Sequence, residues 1–489
     1  MPQLRLGDMT AHPWRTAMGV AVGLLCGGLI AALAPTEVLL LGLLVGVTLG
    51  SYFEPLVGVI AGLACGPLRA WLALFAPQIP DQVGQLFFLL GVAGWLARGL
   101  VRRELRLTHV PLLAPLLLFL GAGLLSLWSP FDAWAGFTEW AKWVQVTLAL
   151  GIVGARLQAV DARRGVVALL ATFGAVGVGE AALGIWQHSL AGEGPLHFLI
   201  TPGVYRAYGT FMQPNPFGGF LGLLAAVFIG LALGEGWQAV TAKRLPARWF
   251  WLVAGAALII AGGLYGSWSR GAWMGFGAAL ALMAAWLPRR GGWGIALLVV
   301  IVVAGGLLAA AEALPAAVVA RLTDFLAYVR FEDVRGVGVN DANYAVMERM
   351  AHWQAALGMW ESHFWTGVGI GNYEAAYPQF RLVNWPYALG HAHNFYLNLL
   401  AETGVIGLGA YLLLLAVIYL RLWQAARRLS GWPRGLALGL AGAWTQINVH
   451  NLVDNVYVNN VHLYVGVLLA LTAWLTYLTL DRTRAGAAS

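Results

Sequence analysis

Apolar runs of about 17 to 25 residues, each long enough to cross roughly 30 Å of hydrocarbon as a helix, recur from Arg15 almost to Asp481. Hydropathy predicts about fourteen helices, with centres near residues 25, 45, 64, 91, 118, 144, 176, 222, 258, 279, 301, 406, 444 and 470. The first run reads as an uncleaved span, because further spans follow it at once. One segment departs from the pattern, a mixed polar stretch of about 79 residues before the last helices. The predicted organisation is therefore N-terminal transmembrane helices over 1–311, a large external loop with amphipathic helices over 312–390, and C-terminal transmembrane helices over 391–489. Within the loop, Glu348 to Phe364 sets Met350, Trp353, Leu357 and Trp360 at helical spacing, as expected of a helix that packs on the spans, lies on the membrane or caps a cavity.

Composition strengthens this reading. Of 489 residues, 60% are hydrophobic and 10% charged, and the mean hydropathy is +0.73; the fold class is an all-α polytopic membrane protein of about 12–14 transmembrane helices. Cys26 and Cys65 both fall in apolar spans, which gives neither a disulfide framework nor a metal cluster. The formal charge of +7 is mainly a topology signal. With both termini cytoplasmic, twenty of the 29 Lys and Arg residues lie on the cytoplasmic side, so the basic balance carries no nucleic-acid meaning.

That orientation collects four polar clusters on the outer face. They are Thr201 to Gly219 (TPGVYRAYGTFMQPNPFGG), Gly266 to Trp273 (GSWSRGAW), the long loop, and His450 to Asn460 (HNLVDNVYVNN). Arg206 and Arg270 stand at two span mouths, where a permanent charge is costly without a partner or water, and such groups on one face suit a diphosphate ligand. Ser269 is placed to cap the helix that carries Arg270. Asn215, between Pro214 and Pro216, breaks the backbone at the membrane boundary. His393 is the residue that can take a proton from a hydroxyl near neutral pH, with His391 able to substitute. Asn394 is placed to orient a sugar or a helix end. Asp454 is an acceptor available to an arginine or a histidine. Gly404 and Gly407 read as small residues for close helix packing.

These residues resemble the O-antigen ligase and polymerase superfamily of bacterial envelope glycosyltransferases. The ligase pattern is His, then Asn, Ser or Gln, nine residues, Gly, two residues, Gly. His393-Asn394, Phe395 to Thr403, Gly404 and Gly407 match it, although Leu408 stands where Gly, Thr or Tyr is usual. Gly367 to Tyr373 (GVGIGNY), the Glu348-Arg349 pair ahead of Trp353, the Arg206 to Asn215 segment and Ser269-Arg270-Gly271 are also similar to the family's recurring features. The resemblance covers about residues 200–460.

It implies a C-type (GT-C-like) glycosyltransferase in the bacterial inner membrane, with its active site facing the periplasm. The donor would be an undecaprenyl diphosphate-linked glycan and the acceptor a hydroxyl of a glycolipid (lipid A core) or a glycan, with no cofactor and no metal. Arg206, Arg270 and Arg349 would hold the diphosphate in an inverting displacement, and His393 would deprotonate or orient the acceptor. Glu348, Ser269, Asn215, Asn394, His391 and Asp454 complete the expected substrate-binding set. The histidine motif leans toward O-antigen ligase, with a polymerase or a protein O-oligosaccharyltransferase as alternatives within the family. A membrane transporter is the alternative of another class, since Glu180, Lys142 and Arg69 lie within spans; the Glu139 and Lys142 pair can instead neutralise itself.

Overall fold

The computed structural model describes residues 35–487 apart from 104–109, 160, 290, 314, 329–332 and 341–342. The span expected near residue 25, with Arg5, Arg15 and Cys26, lies outside the described residues, as do Arg106, Arg290, Arg330, Glu332 and Asp341. Sixteen described helices follow in order: α1 Pro35–Phe53, α2 Leu56–Phe75, α3 Val83–Arg102, α4 Leu113–Ser126, α5 Ala133–Arg156, α6 Ala162–Ser189, α7 Pro214–Thr241 and α8 Arg248–Gly266. Then come α9 Arg270–Trp286, α10 Gly291–Ala310, α11 Ala316–Thr323, α12 Tyr344–Ser362, α13 Tyr373–Phe380, α14 Phe395–Arg428, α15 Gly431–His450 and α16 Val461–Ala487. A two-stranded hairpin, β1 Leu199–Thr201 with β2 Val204–Tyr205, is the described strand structure.

Each helix centre expected from 45 to 470 falls inside one of these helices. Among the described residues, α2, α3, α6, α7, α8, α14 and α16 are long and apolar enough to cross a membrane by length and composition, while α1, α4 and α10 contribute shorter apolar stretches. α5 and α15 are long enough but more polar, because they carry Glu139, Lys142 and Gln145 in one case and Arg434, Gln446 and Asn448 in the other. The molecule is an all-α polytopic membrane protein.

Arg69, Glu139, Lys142 and Glu180 are partnered within the bundle. Lys142 Nζ meets Glu139 at 2.5 Å and Arg69 meets Asp81 at 3.2 Å. Buried Glu180 accepts from the Thr210 amide at 3.1 Å and from its hydroxyl at 2.5 Å. These groups close local structure.

The centre of the bundle is α15, wedged between α7 and α9 by missing side chains. Gly230 and Gly234 of α7 face Gly439 and Gly435 of α15 so closely that an added Cβ at Gly230 would lie 2.1 Å from the Gly439 nitrogen, and one at Gly234 would lie 2.4 Å from the Gly435 Cα. Both helices thus present a small-xxx-small face, the arrangement that lets helices associate where hydrophobic burial gives no net drive.

Gly404 and Gly407 play a different part from the one expected. Gly404 adopts φ 61°, ψ −166°, a conformation essentially confined to glycine, and interrupts α14. The break exposes carbonyls and an amide of α14 to an entering loop. The Val368 amide donates to the Ala401 carbonyl and the Gly369 amide to the Glu402 carbonyl, both at 2.9 Å, while the Val405 amide donates to the Phe364 carbonyl at 3.1 Å. A Cβ on Gly404 would lie 2.3 Å from the Trp365 carbonyl, and one on Gly407 would meet Thr403 of its own helix. The spacing therefore specifies a kink latched by the GVGIGN loop, where helix-to-helix packing was expected.

Gly404→Ala should lose on the order of 2 kcal/mol or more, since it combines a forbidden conformation with a backbone clash. Gly409→Ala, with nothing within 4 Å of the new methyl, should be neutral. Thermal unfolding of the two purified variants in detergent checks the contrast, and equal melting temperatures would refute the latch.

Candidate active site

The four polar clusters meet at one end of the bundle. There a cavity of about 310 Å³ is lined by four arginines from four parts of the chain: Arg206 ahead of α7, Arg270 at the start of α9, Arg321 on α11 and Arg349 on α12. Asn215, Ser269, His450 and Asp454 add polar walls, and Met274, Met350 and Trp353 add apolar ones.

Each guanidinium is aimed by backbone or side-chain oxygens. Arg206 donates to the Ser267 carbonyl at 3.1 Å and to Asn215 Oδ1 at 2.9 Å. Arg321 donates to the Trp268 carbonyl from Nε at 3.3 Å and Nη2 at 3.2 Å; Trp268 sits in the left-handed region (φ 52°), in the tight turn between α8 and α9. Arg349 donates from Nε to the Val453 carbonyl at 3.2 Å and from Nη1 to the Ala345 carbonyl at 2.7 Å. Arg270 pairs with Asp324 at 2.9 Å. Ser269 N-caps α9, accepting from the Ala272 amide at 3.4 Å.

Electrostatically the cavity is cationic. Four arginines stand against Asp454 in the wall and Asp324, which pairs with Arg270, and this leaves a surplus of two positive charges. Burial, with Arg321, Arg270 and Arg349 nearby, lowers the Arg206 pKa to about 9. Burial and Arg270 likewise lower Arg321 to about 10. Both remain charged at neutral pH, so the depressions measure how poorly the cluster is compensated. An anion with two or three charges and several oxygens is its natural complement.

Beside the cavity, Asp454 links the arginines to a histidine group. His391 Nε2 lies 3.7 Å from Asp454 Oδ1. His391 Nδ1 accepts the backbone N–H of His393 at 3.0 Å, so the neutral ring carries its proton on Nε2, toward Asp454. The His393 ring packs at 4.5 Å from His391 and 5.5 Å from His352 between centroids. Both of its ring nitrogens are buried without a hydrogen-bond partner, and its backbone is left-handed (φ 51°), a strained conformation of the type concentrated at functional sites. Burial, His391 and the Arg349 charge lower the His393 pKa to about 3 against the pull of Asp454, so the ring is a neutral acceptor at physiological pH. Burial works against the Asp454 carboxylate, yet His391, His450, His393 and Arg349 together hold its pKa below the usual value.

His391, His393 and Asp454 place three ligand atoms within 4.8 Å, the one such group among the described residues. The hydrogen bond received by His391 Nδ1 puts a proton on the nitrogen that a cation would need, beside a cavity already in positive surplus. At 3.7 Å, His391 Nε2 and Asp454 interact through charge and share no hydrogen bond.

Residues 255–412 match the family model described as O-antigen ligase. This stretch, about a third of the chain, supports the O-antigen ligase and polymerase superfamily. No curated protein matches it. It is thus a multi-pass membrane enzyme of the ligase or polymerase type, and the matched span carries Arg270, Arg321, Arg349, His391 and His393. Arg206, Asn215, His450 and Asp454 lie outside that span and are brought to the site by α7 and α15.

Of the residues expected at the site, the fold brings Arg206, Asn215, Ser269, Arg270, Arg349 and Asp454 to one cavity, with His391 and His393 joined to it through Asp454. Asn394 stands apart, because its Oδ1 is committed to capping α14 through the Tyr396 and Leu397 amides at 2.9 and 3.1 Å. Glu348 lines a second cavity, on a neighbouring face of α12. Asn215 accepts from Arg206 through its Oδ1. Arg321 and His450 were not anticipated as site residues. A lone arginine on the apolar helix AAVVARLT was the available signal for the first, and the polar run opening at His450 for the second.

His352 has its pKa lowered to about 4 by burial and by His391, against an ordinary 6.5. For His352 and His393 the unfolded chain binds protons that the folded chain refuses between about pH 6.5 and 4. Stability present above pH 6.5 should therefore be lost as pH falls through that window. Melting temperatures across it should drop, with a shallower slope in His352→Phe, and a flat wild-type profile would contradict the burial of these rings.

Proposed function

We propose that this enzyme transfers a glycan from undecaprenyl diphosphate to an acceptor hydroxyl at the periplasmic face of the inner membrane, as an O-antigen ligase acting on lipid A core. The observation that carries the reading is the cationic cavity, whose four arginines outnumber the carboxylates beside them by two and stand next to the unpartnered His393 imidazole. A diphosphate diester bears two negative charges and gains a third when it departs from the anomeric carbon. Preorganised guanidiniums stabilise that developing charge without reorganisation, the role a divalent cation takes elsewhere.

The acceptor oxygen attacks the anomeric carbon, the bond from that carbon to the diphosphate breaks with its electron pair, and the hydroxyl proton passes to His393. Attack opposite the leaving group inverts the anomeric centre. Burial is the main cause of the low His393 basicity, and a diphosphate beside Arg349 offsets the part that this arginine adds, so donor binding makes the base stronger when it is needed. Asp454, facing His391 next to His393, stabilises the imidazolium that forms. Membrane lipids surround the apolar helices, and the polyprenyl chain of the donor requires the same surroundings.

His393→Ala should lower transfer of glycan from a purified undecaprenyl diphosphate donor to lipid A core by roughly 10² to 10⁴-fold, the usual share of a general base, with donor binding retained. Wild-type turnover in that variant would remove His393 from the chemistry.

A further inference from the structure

α12 separates the arginine cavity from a second one. Arg349, Met350 and Trp353 face the first, while Tyr344, Glu348 and His352 line the second together with Asn384, Trp385 and Tyr387 of the segment after α13. The second cavity is about 550 Å³, within the range of roughly 300–1,000 Å³ common for small-molecule sites. Its chemistry differs from its neighbour's, because no arginine or lysine lines it and its one charged residue is Glu348. Tyr344 and Trp385 form an aromatic corner with ring centroids 5.4 Å apart, and Tyr387 stands 77% exposed at the rim.

The innermost wall is His352, which is 1% exposed. Its Nδ1 is bonded to the Tyr373 hydroxyl at 2.9 Å, but its Nε2 is buried without a partner. A buried polar atom left unpaired costs free energy unless a ligand or water completes it. Aromatic faces, a carboxylate, an amide and an open imidazole nitrogen are the groups that receive the apolar faces and hydroxyls of a sugar ring. The His352 ring packs edge to face on His393, 5.5 Å between centroids, which sets the wall of this cavity one ring away from the proposed base.

We infer that this second cavity is the subsite for the saccharide end of the acceptor, with Tyr344, Trp385 and Tyr387 stacking on sugar faces and Glu348, Asn384 and His352 taking hydroxyls. The inference rests on the glycan-transfer reading, because an acceptor must reach the proposed base, and the two cavities are lined by different faces of α12 with His352 packed on His393 between them. His352 is a positioning residue here, acting through the acceptor and through His393.

Delipidated lipopolysaccharide core oligosaccharide, titrated into the detergent-solubilised full chain and followed by saturation-transfer NMR, tests the subsite directly. Tyr387→Ala and Glu348→Gln should each weaken binding about tenfold, the loss expected for one or two sugar contacts, whereas Arg321→Ala in the other cavity should leave it unchanged. Melting temperatures establish that the variants are folded, and the exposed position of Tyr387 makes its removal structurally mild. No binding to the wild type, binding indifferent to both variants, or binding lost in Arg321→Ala would overturn the assignment. Core binding that depends on Tyr387 and Glu348 without any glycan transfer would instead refute the proposed function and leave the saccharide subsite standing.

Discussion

Four guanidinium groups cannot share a small cavity at a membrane boundary unless something fixes each of them against its neighbours' repulsion. The fold solves this for three of them with backbone carbonyl oxygens at or just beyond helix ends, while Arg270 is paired with Asp324. The Ser267 and Trp268 carbonyls at the end of α8 hold Arg206 and Arg321, and the Val453 carbonyl just beyond α15 holds Arg349. Carbonyls at helix C-termini lack intrahelical partners and carry the negative end of the helix dipole. They therefore stabilise cations without neutralising them, which is what an anion site requires. Carboxylates in the same places would have cancelled the charge.

The rest of the architecture serves to bring those helix ends together. α15 can reach the cavity with His450 and Asp454 because glycines on α7 and α9 let it pass at backbone contact. A Cβ on Gly271 would lie 2.5 Å from the His450 ring, and one on Gly275 would lie 2.6 Å from the Gln446 carbonyl. On the other side, the break at Gly404 allows the GVGIGN loop to latch onto α14, which fixes the helix whose first residues follow His391, His393 and Asn394. The strained backbone of His393 is tolerated because its amide is tied to His391 and the next residue caps the helix.

Much of this could be read from the chain. Apolar length fixed the helices, because a span in lipid must satisfy its backbone internally and has few other solutions. Arg206, Arg270, Asp454 and the histidines stood out because charge at a membrane boundary is expensive. What stayed hidden was pairing across distance. Arg321 looks like any loop arginine until α11 folds back onto the α8–α9 turn, and Glu348 and Arg349, adjacent in sequence, line different cavities. The glycine pattern was visible, but only the backbone dihedral of Gly404 distinguishes a latched kink from a packing face, while the true small-xxx-small seam lay unremarked at Gly230, Gly234, Gly435 and Gly439.

The central claim is that the arginine cavity recognises a diphosphate. Equilibrium binding of radiolabelled undecaprenyl diphosphate and undecaprenyl monophosphate to the purified full chain, in wild type and in Arg206→Ala and Arg321→Ala, measures it most directly. The account predicts that the diphosphate binds at least about tenfold more tightly than the monophosphate, a preference of about 1.4 kcal/mol, and that either substitution removes the difference. Equal affinity for the two lipids, or a preference that survives both substitutions, would contradict it.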